Sequence, residues 1–160
     1  MKVKYEWEVL AVHVAIGSDH RGCALKELVI KVLTEEGYDY RDFGCYTEDS
    51  VDYPDIAVEV AEAIVRGEFD RGILLCGTGI GMCIAANKVK GIRAAQCYDA
   101  FTAKRARLHN DAQICCLSAE EGKARVPAIL ETFLTTDFEG GRHVARLNKI
   151  KEIEEKQFGK

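Results

Sequence analysis

The sequence predicts an α/β fold, in which helices cover both faces of a parallel β-sheet. Short apolar runs alternate with segments whose apolar residues recur at helical spacing, and no internal repeat or low-complexity linker interrupts them. At 160 residues with 48% hydrophobic content, the chain is long enough for one compact domain and too short for two of ordinary size. The predicted fold is therefore an α/β/α sandwich around a five-stranded parallel sheet.

The first half of the chain contains two predicted strands and two predicted helices. Residues 12–17 are strand-like, and a helical pattern follows at residues 23–37. Residues 38–43 form a short second strand. The second helix spans residues 52–67 and carries Pro54 in its first turn, where proline is favoured.

The second half continues the alternation of strand and helix. The predicted elements are a buried strand, a helix, a strand, a helix and a strand at residues 72–75, 80–88, 92–97, 101–108 and 114–117. Ser118 and Glu121 fit a capping box that opens a further helix. From Arg142 onward the pattern is helical but sparsely apolar, which predicts an arm that packs across a second subunit of a homodimer.

The domain organisation follows from these elements. Residues 12–150 form the predicted domain, residues 1–11 an N-terminal extension without an assigned role, and residues 151–160 a charged, solvated tail. The net charge of −4 and the lack of a long Lys/Arg cluster argue against a nucleic-acid or membrane partner. No apolar stretch approaches the ~20 residues that span a bilayer, and charges interrupt the first residues, so we expect a cytoplasmic location.

The cysteines do not form a recognisable framework. The chain has seven of them, with no Cys-x-x-Cys pair and no histidine at zinc-finger spacing, so we expect neither disulfides nor a metal. Cys97, Cys115 and Cys116 lie in or beside apolar runs, which predicts that they are core residues.

Cys76 has a different setting, between a buried strand and a glycine loop. Gly77, Gly79 and Gly81 let the backbone turn tightly before a helix begins. The free amides at such a turn suit an oxyanion, a phosphate or a thiolate, so Cys76 is a candidate reactive thiol. The alternative is that Cys76 only packs at the end of its strand.

Two familiar motifs fail at the same position of this loop. A dinucleotide fingerprint needs glycine at position 82, and a cysteine phosphatase needs arginine there, whereas the chain has Met82. The loop therefore suits an anion without matching either motif.

Further polar clusters follow other elements. Ser18-Asp19-His20 and Tyr98-Asp99 come after the first and fourth strands, and the carboxyl ends of parallel strands converge on one ligand site. His109-Asn110-Asp111 comes near a helix end, and a glycine turn precedes Arg142 and Arg146, which suit a phosphate monoester. The alternatives are a helix cap with a surface histidine, a C-cap at Asn110 and a solvated helix start.

Taken together, these motifs resemble those of the type B ribose-5-phosphate isomerases, a family that includes galactose-6-phosphate isomerase subunits. The motifs are Gly17-Ser18-Asp19-His20, Asp52-Tyr53-Pro54-Asp55, residues 72–81, Ala85-Ala86-Asn87-Lys88, His109-Asn110-Asp111 and Phe138-Glu139-Gly140-Gly141-Arg142-His143. The resemblance implies a Rossmann-like sandwich, a dimer with active sites shared between subunits, and aldose–ketose isomerisation of a sugar phosphate in the pentose phosphate pathway. It also implies that no metal or organic cofactor takes part.

The same resemblance implies a role for each matching residue. Cys76 would be the base that moves a proton between C1 and C2 through an enediolate, and His109 would open the furanose ring. Thr78 and the loop at Gly77, Gly79, Ile80 and Gly81 would stabilise the oxyanion. The remaining substrate-binding positions are Asp19, His20, Tyr53, Asn110, Arg142, His143 and Arg146, with the two arginines as the phosphate clamp.

One departure from the family leaves the substrate open. After the fifth strand the family usually shows Gly-x-Arg, whose arginine helps to bind phosphate, whereas this chain has Ser118-Ala119-Glu120. Ribose 5-phosphate is the leading expectation. The alternatives are galactose 6-phosphate, allose 6-phosphate, a tetrose phosphate or a non-catalytic sugar-phosphate-binding module. The sequence also leaves open whether dimers pair into tetramers.

Overall fold

A computed structural model describes residues 11–159, and its sheet has the predicted architecture. The five strands are β1 (His13–Ser18), β2 (Asp39–Asp42), β3 (Arg71–Cys76), β4 (Ala94–Gln96) and β5 (Ile114–Ser118). They pair in parallel in the order β2-β1-β3-β5-β4. The predicted fold class is confirmed. The N-terminal extension predicted at residues 1–11 lies outside the described residues except for Ala11.

The described residues form six α-helices, of which the first five cover both faces of the sheet and the last packs beside the fourth. They are α1 (Cys23–Glu35), α2 (Tyr53–Val65), α3 (Ile80–Ala86), α4 (Ala100–Asn110), α5 (Val126–Thr135) and α6 (Arg142–Phe158). One core lies between the sheet and α1, α4 and α5, and a second lies under α2 and α3. Because side chains alternate along a strand, Ile73 and Leu75 enter the first core and Leu74 enters the second. Every helix between residues 11 and 159 is too short or too polar to cross a membrane.

The predicted core cysteines are confirmed, since Cys97, Cys115 and Cys116 are all buried. The predicted capping box is wrong. Ser118 is the last residue of β5, and α5 begins only at Val126, after a turn of 3₁₀ helix. The Ser118 hydroxyl does accept the Glu121 amide at 3.2 Å, but a serine can satisfy amides in a turn without starting a helix.

The end of α4 also differs from the prediction. The helix includes His109 and Asn110, and the C-cap is Asp111, which adopts φ 45°. Asp111 tolerates this left-handed backbone because its carboxylate pairs with the buried Arg107 at 2.9 Å. Asn110 is therefore a helical residue and not the cap.

The last helix includes most of the predicted C-terminal tail. Glu154 of α6 accepts the Gly91 amide at 3.0 Å, and Lys90 donates to the Gly159 carbonyl at 2.7 Å. These contacts lay the end of α6 against the turn between α3 and β4. The predicted arm is thus a continuous helix to Phe158.

The chain changes the direction in which it adds strands to the sheet between β1 and β3, which are neighbours in the sheet. The chain moves outward from β1 to β2 on one side and returns to place β3 on the other. In open parallel sheets ligands bind at such a switch point, beyond the carboxyl ends of the two strands. The residues that follow β1 and β3 are those of the predicted site.

Candidate active site

Cys76 ends β3 at this switch point. Its side chain is 5% exposed, and the Gly79 amide donates a hydrogen bond to its Sγ at 3.1 Å. Thr78 lies exposed between them in the chain, and its hydroxyl accepts the Ile80 amide at 3.3 Å. One backbone N–H of the loop therefore donates to the thiol, as the glycine content of the loop predicts.

Two glycines of this loop have no space for a side chain. Gly79 has φ 78°, and a Cβ atom there would lie 3.0 Å from the Leu117 carbonyl carbon. A Cβ atom at Gly81 would lie 2.7 Å from Cζ of Tyr53. The Tyr53 ring thus packs directly on the loop that follows Cys76.

The residues after β1 complete this side of the site. Asp19 is buried, and its Oδ1 accepts the amides of Arg21 and Gly22 at 2.9 and 3.0 Å. It therefore holds the turn that precedes α1, but it is not the helix cap of the alternative interpretation, because the N-cap is Gly22 and has no side-chain cap hydrogen bond. His20 accepts the Val51 amide on Nδ1 at 3.3 Å, which leaves Nε2 as the N–H donor of the ring.

A cavity of about 390 Å³ opens beside the loop, between β4 and β5. Its lining includes Thr78, Gln96, Tyr98, Glu120 and Arg125. Gln96 donates to the Thr78 carbonyl at 2.6 Å, a contact that sequence reasoning missed because Gln96 carries no motif.

Tyr98-Asp99 lies at the same carboxyl end of the sheet, but the carboxylate of Asp99 forms a hydrogen bond with the backbone. Asp99 is the N-cap of α4 and accepts the Thr102 amide at 2.7 Å. This hydrogen bond lowers the pKa of Asp99 below its ordinary value. The group therefore has a local structural role at the start of the helix.

A second cluster combines α4 with α6. His109 and Asn110 at the end of α4, with Arg142, His143 and Arg146 at the start of α6, line an open cavity of about 370 Å³. The two imidazole rings stack with centroids 4.3 Å apart. His143 is 5% exposed, so the predicted substrate-binding residue lies behind His109 in the protomer.

Glu139 belongs to this cluster, although sequence reasoning assigned it no role. Its Oε2 lies 2.9 Å from Nε2 of His143, four residues later. On the other side, the Arg105 guanidinium lies 2.9 Å from Nε2 of His109. Partial burial and the neighbouring His143 and Arg105 lower the pKa of His109 below its ordinary value.

The charge of this cluster suits an anion. His109, Glu139 and His143 present ligand atoms within 4.8 Å of one another, a geometry that could hold a metal ion. Guanidinium groups face the same space, however, because Arg142 and Arg146 line the cavity. Exposed arginines suit a phosphate or carboxylate group and disfavour a cation.

The residues around Cys76 form the first cluster and those of α4 and α6 form the second. These two clusters lie at opposite ends of the strands. α4 starts beside Tyr98 at the carboxyl edge and ends where the Arg93 guanidinium bonds the Asn110 carbonyl at 2.8 Å, just before β4 begins. Its 11 residues span about 16 Å. One small molecule cannot contact Cys76 and His109 of the same protomer.

Comparison with known proteins gives a consistent family assignment. The model of the Ribose/Galactose Isomerase family matches residues 14–150. A putative sugar phosphate isomerase of Bacillus subtilis is 50% identical over 147 residues, which cover 91% of this chain and 99% of that protein. A D-erythrulose-4-phosphate isomerase of Pectobacterium atrosepticum is 45% identical over 139 residues, covering 86% and 91% of the two chains.

A solved structure gives the same result. Ribose-5-phosphate isomerase B of Clostridium thermocellum matches with a TM-score of 0.88 and 49% identity, covering 90% of this chain and 98% of that one. The family resemblance and the Rossmann-like fold predicted from the motifs are thereby confirmed. Since the match includes both clusters and nearly the whole sandwich, the protein is an isomerase that belongs to the Ribose/Galactose Isomerase family.

Proposed function

We propose that this protein interconverts ribose 5-phosphate and ribulose 5-phosphate, with Cys76 as the base. The observation that carries the proposal is the Cys76 thiol, buried at the switch point and 3.1 Å from the Gly79 amide. The 49% identity with a ribose-5-phosphate isomerase B supports the choice of sugar. This activity belongs to the pentose phosphate pathway, and we propose a cytoplasmic location for it.

The thiolate of Cys76 removes the proton from C2 of the open-chain aldose. The electron pair of that C–H bond forms the C1–C2 double bond of an enediolate, whose oxygen becomes negative. Thr78 and the amides of residues 77–81 donate hydrogen bonds to this oxygen, which lowers the barrier. The proton then returns to C1 while the proton of the C2 hydroxyl moves to the oxygen on C1, so that C2 becomes the carbonyl carbon and the ketose is formed without net gain or loss of atoms.

Ring opening precedes this step, and we assign it to His109. A neutral imidazole accepts the proton of the C1 hydroxyl, and the imidazolium gives this proton to the ring oxygen as the bond between that oxygen and C1 breaks. The lowered pKa of His109 keeps the imidazole neutral at physiological pH. Asp19, His20, Tyr53 and Asn110 are proposed to hold the sugar hydroxyls.

The complete site requires two protomers. Cys76 and His109 lie at opposite edges of one sheet, so a partner subunit must supply His109 and the phosphate clamp of Arg142 and Arg146. The first turns of α6 carry this clamp, and the helix has exposed apolar residues that suit a subunit interface, namely Val144, Ile150, Ile153 and Phe158. We therefore propose a homodimer with shared active sites; a dimer of dimers would satisfy the same geometry.

The test is turnover of ribose 5-phosphate by the purified protein, with Cys76→Ala as the variant. Loss of a general base lowers the rate by about 10²- to 10⁴-fold, so we expect kcat of the variant to fall within that range. Cys83→Ala on α3 is the matched control and should keep its activity. Undiminished activity of Cys76→Ala would exclude the assigned mechanism.

A second candidate substrate is a tetrose phosphate. The 45% identity with a D-erythrulose-4-phosphate isomerase favours it. Values of kcat/KM across four-, five- and six-carbon sugar phosphates decide between the candidates. Thermal stabilisation by these ligands without turnover would instead indicate a binding module.

A further inference from the structure

Arg21 and Glu120 form an ion pair across the carboxyl edge of the sheet. Arg21 follows β1 and Glu120 follows β5, the two strands that flank β3. Nη1 of Arg21 lies 3.3 Å from Oε1 of Glu120. The pair therefore spans the end of β3, where Cys76 is located.

The pair rests directly on the loop that follows Cys76. A Cβ atom added at Gly77 would lie 2.8 Å from Oε1 of Glu120 and 3.2 Å from Nη1 of Arg21. The absence of a side chain at Gly77 leaves the space that these two charged groups occupy. Both charges consequently act on the loop at close range.

Backbone hydrogen bonds hold the main chain of Arg21 and of Glu120 beside the loop. The Glu120 amide donates to the Gly77 carbonyl at 3.0 Å, and the Ala119 amide donates to the Cys76 carbonyl at 2.9 Å. The Arg21 amide donates to the buried carboxylate of Asp19 at 2.9 Å. The backbone of Glu120 is therefore held beside the loop, and its carboxylate lies against the guanidinium of Arg21.

A carboxylate in this position opposes the binding of a sugar phosphate. The phosphate monoester carries between one and a half and two negative charges at neutral pH, by analogy with phosphorylated side chains, whose second pKa is about 6. An unpaired Glu120 would repel this group. The guanidinium of Arg21 cancels the charge, although the two side chains remain 64% and 54% exposed.

We propose that Arg21 is a specificity-determining residue that lets the Cys76 loop accept a phosphorylated sugar by neutralising Glu120. This inference rests on the proposed sugar-phosphate isomerisation and adds a residue outside the two clusters described above. Arg21 acts by compensating the negative charge of Glu120, so its effect on substrate binding requires Glu120.

Four proteins test the proposal: the wild type, Arg21→Gln, Glu120→Gln and the double variant. With ribose 5-phosphate at low ionic strength, Arg21→Gln should raise KM about fivefold with little change in kcat, because an uncompensated carboxylate then lines the cavity beside Thr78 that the negatively charged substrate enters. Added salt should shrink this effect. Glu120→Gln should keep KM at or below the wild-type value. KM of the double variant should return to within about twofold of the wild-type value, which would show that Arg21 and Glu120 act as a coupled pair.

Lys31→Gln is the matched control, because Lys31 pairs with Glu35 at 3.8 Å with similar exposure on α1. It should leave KM unchanged. A double variant as impaired as Arg21→Gln overturns the proposal, since Arg21 would then act on the substrate or the fold independently of Glu120. A wild-type KM in Arg21→Gln overturns it as well.

A binding experiment tests the compensation separately from the proposed function. If the wild type does not turn over ribose 5-phosphate, the same four proteins are compared by calorimetric titration with inorganic phosphate. Weaker binding by Arg21→Gln, restored in the double variant, would still support the compensation. Equal affinities in all four proteins would overturn it.

Discussion

At the scale of single residues, the thiols of this chain differ because of their neighbours. A hydrogen bond with Cys116 lowers the pKa of Cys83 to about 7, and the amide groups of Gln96 and Asn87 contribute. Burial and the adjacent Cys23 raise the pKa of Cys45 to about 11. The two partner cysteines, Cys116 and Cys23, lie far from Cys83 and Cys45 in the chain, so the spacing of the cysteines predicts none of this.

These pKa values predict an order of reaction with iodoacetamide. Because the thiolate is the nucleophile, Cys83 should be alkylated with a rate that rises as the pH passes about 7 and then levels off. Cys45 should stay unmodified over that range. Mass spectrometry of peptides after timed quenching measures both rates, and urea-unfolded protein is the control. Faster labelling of Cys45 than of Cys83 would contradict the prediction.

The pKa of His109 predicts how Arg105 affects the pH profile. The guanidinium disfavours the protonated imidazole, so its removal in Arg105→Gln should raise the pKa of His109. The acid limb of kcat/KM, which marks loss of the neutral base, should then shift to higher pH. Lys104→Gln, an exposed change on the same helix, should leave the limb in place. An unshifted limb in Arg105→Gln would show that His109 does not set it.

At the scale of secondary-structure elements, one buried ion pair joins α1 to β2. Lys26 is 4% exposed, and its Nζ lies 2.8 Å from Oδ1 of Asp42. The same ammonium group donates to the Cys45 carbonyl, so it also holds the segment after β2. Lys31, one turn later on α1, makes only an exposed pair with Glu35.

This contrast predicts very different effects of two similar substitutions. Lys26→Met leaves Asp42 without its partner and should lower the free energy of unfolding by about 3 kcal/mol. Lys31→Met should change it by less than about 1 kcal/mol, because exposed pairs contribute little. Urea denaturation followed by circular dichroism measures both. Equal losses in the two variants would count against a stabilising role for the buried pair.

At the scale of the whole molecule, the positions of Cys76 and His109 predict complementation between subunits. Cys76→Ala and His109→Ala should each be nearly inactive. If active sites are shared, a mixed dimer of the two variants contains one site with both changes and one intact site. Random exchange makes half of the dimers mixed, so mixing should restore about a quarter of wild-type activity.

The measurement is isomerase activity after the two variants are unfolded together and refolded, with each variant refolded alone as control. Differently tagged variants show by affinity capture that mixed dimers have formed. Mixed dimers without recovered activity would exclude a shared site.

Much of this protein could be predicted from local patterns. The order and type of the strands and helices follow from the spacing of apolar residues, and the glycine loop marks Cys76 as the centre of interest. The boundaries were less accurate: Ser118 resembles an N-cap but ends a strand, and α4 continues to Asn110. Ser118 stays with β5 because its hydroxyl donates to the Gly77 carbonyl after β3 at 2.9 Å, and α4 extends because Asp111 takes the C-cap position and pairs with Arg107.

The fold class, the family and the residue types of both clusters follow from the sequence alone. Which of these residues meet depends on how the strands and helices pack. The strand order brings Arg21 and Glu120 together above Gly77, although 98 residues separate them in the chain. It also puts His109 at the edge opposite Cys76. Apolar periodicity records which side of an element is buried, whereas the order of strands in a sheet depends on packing between distant segments.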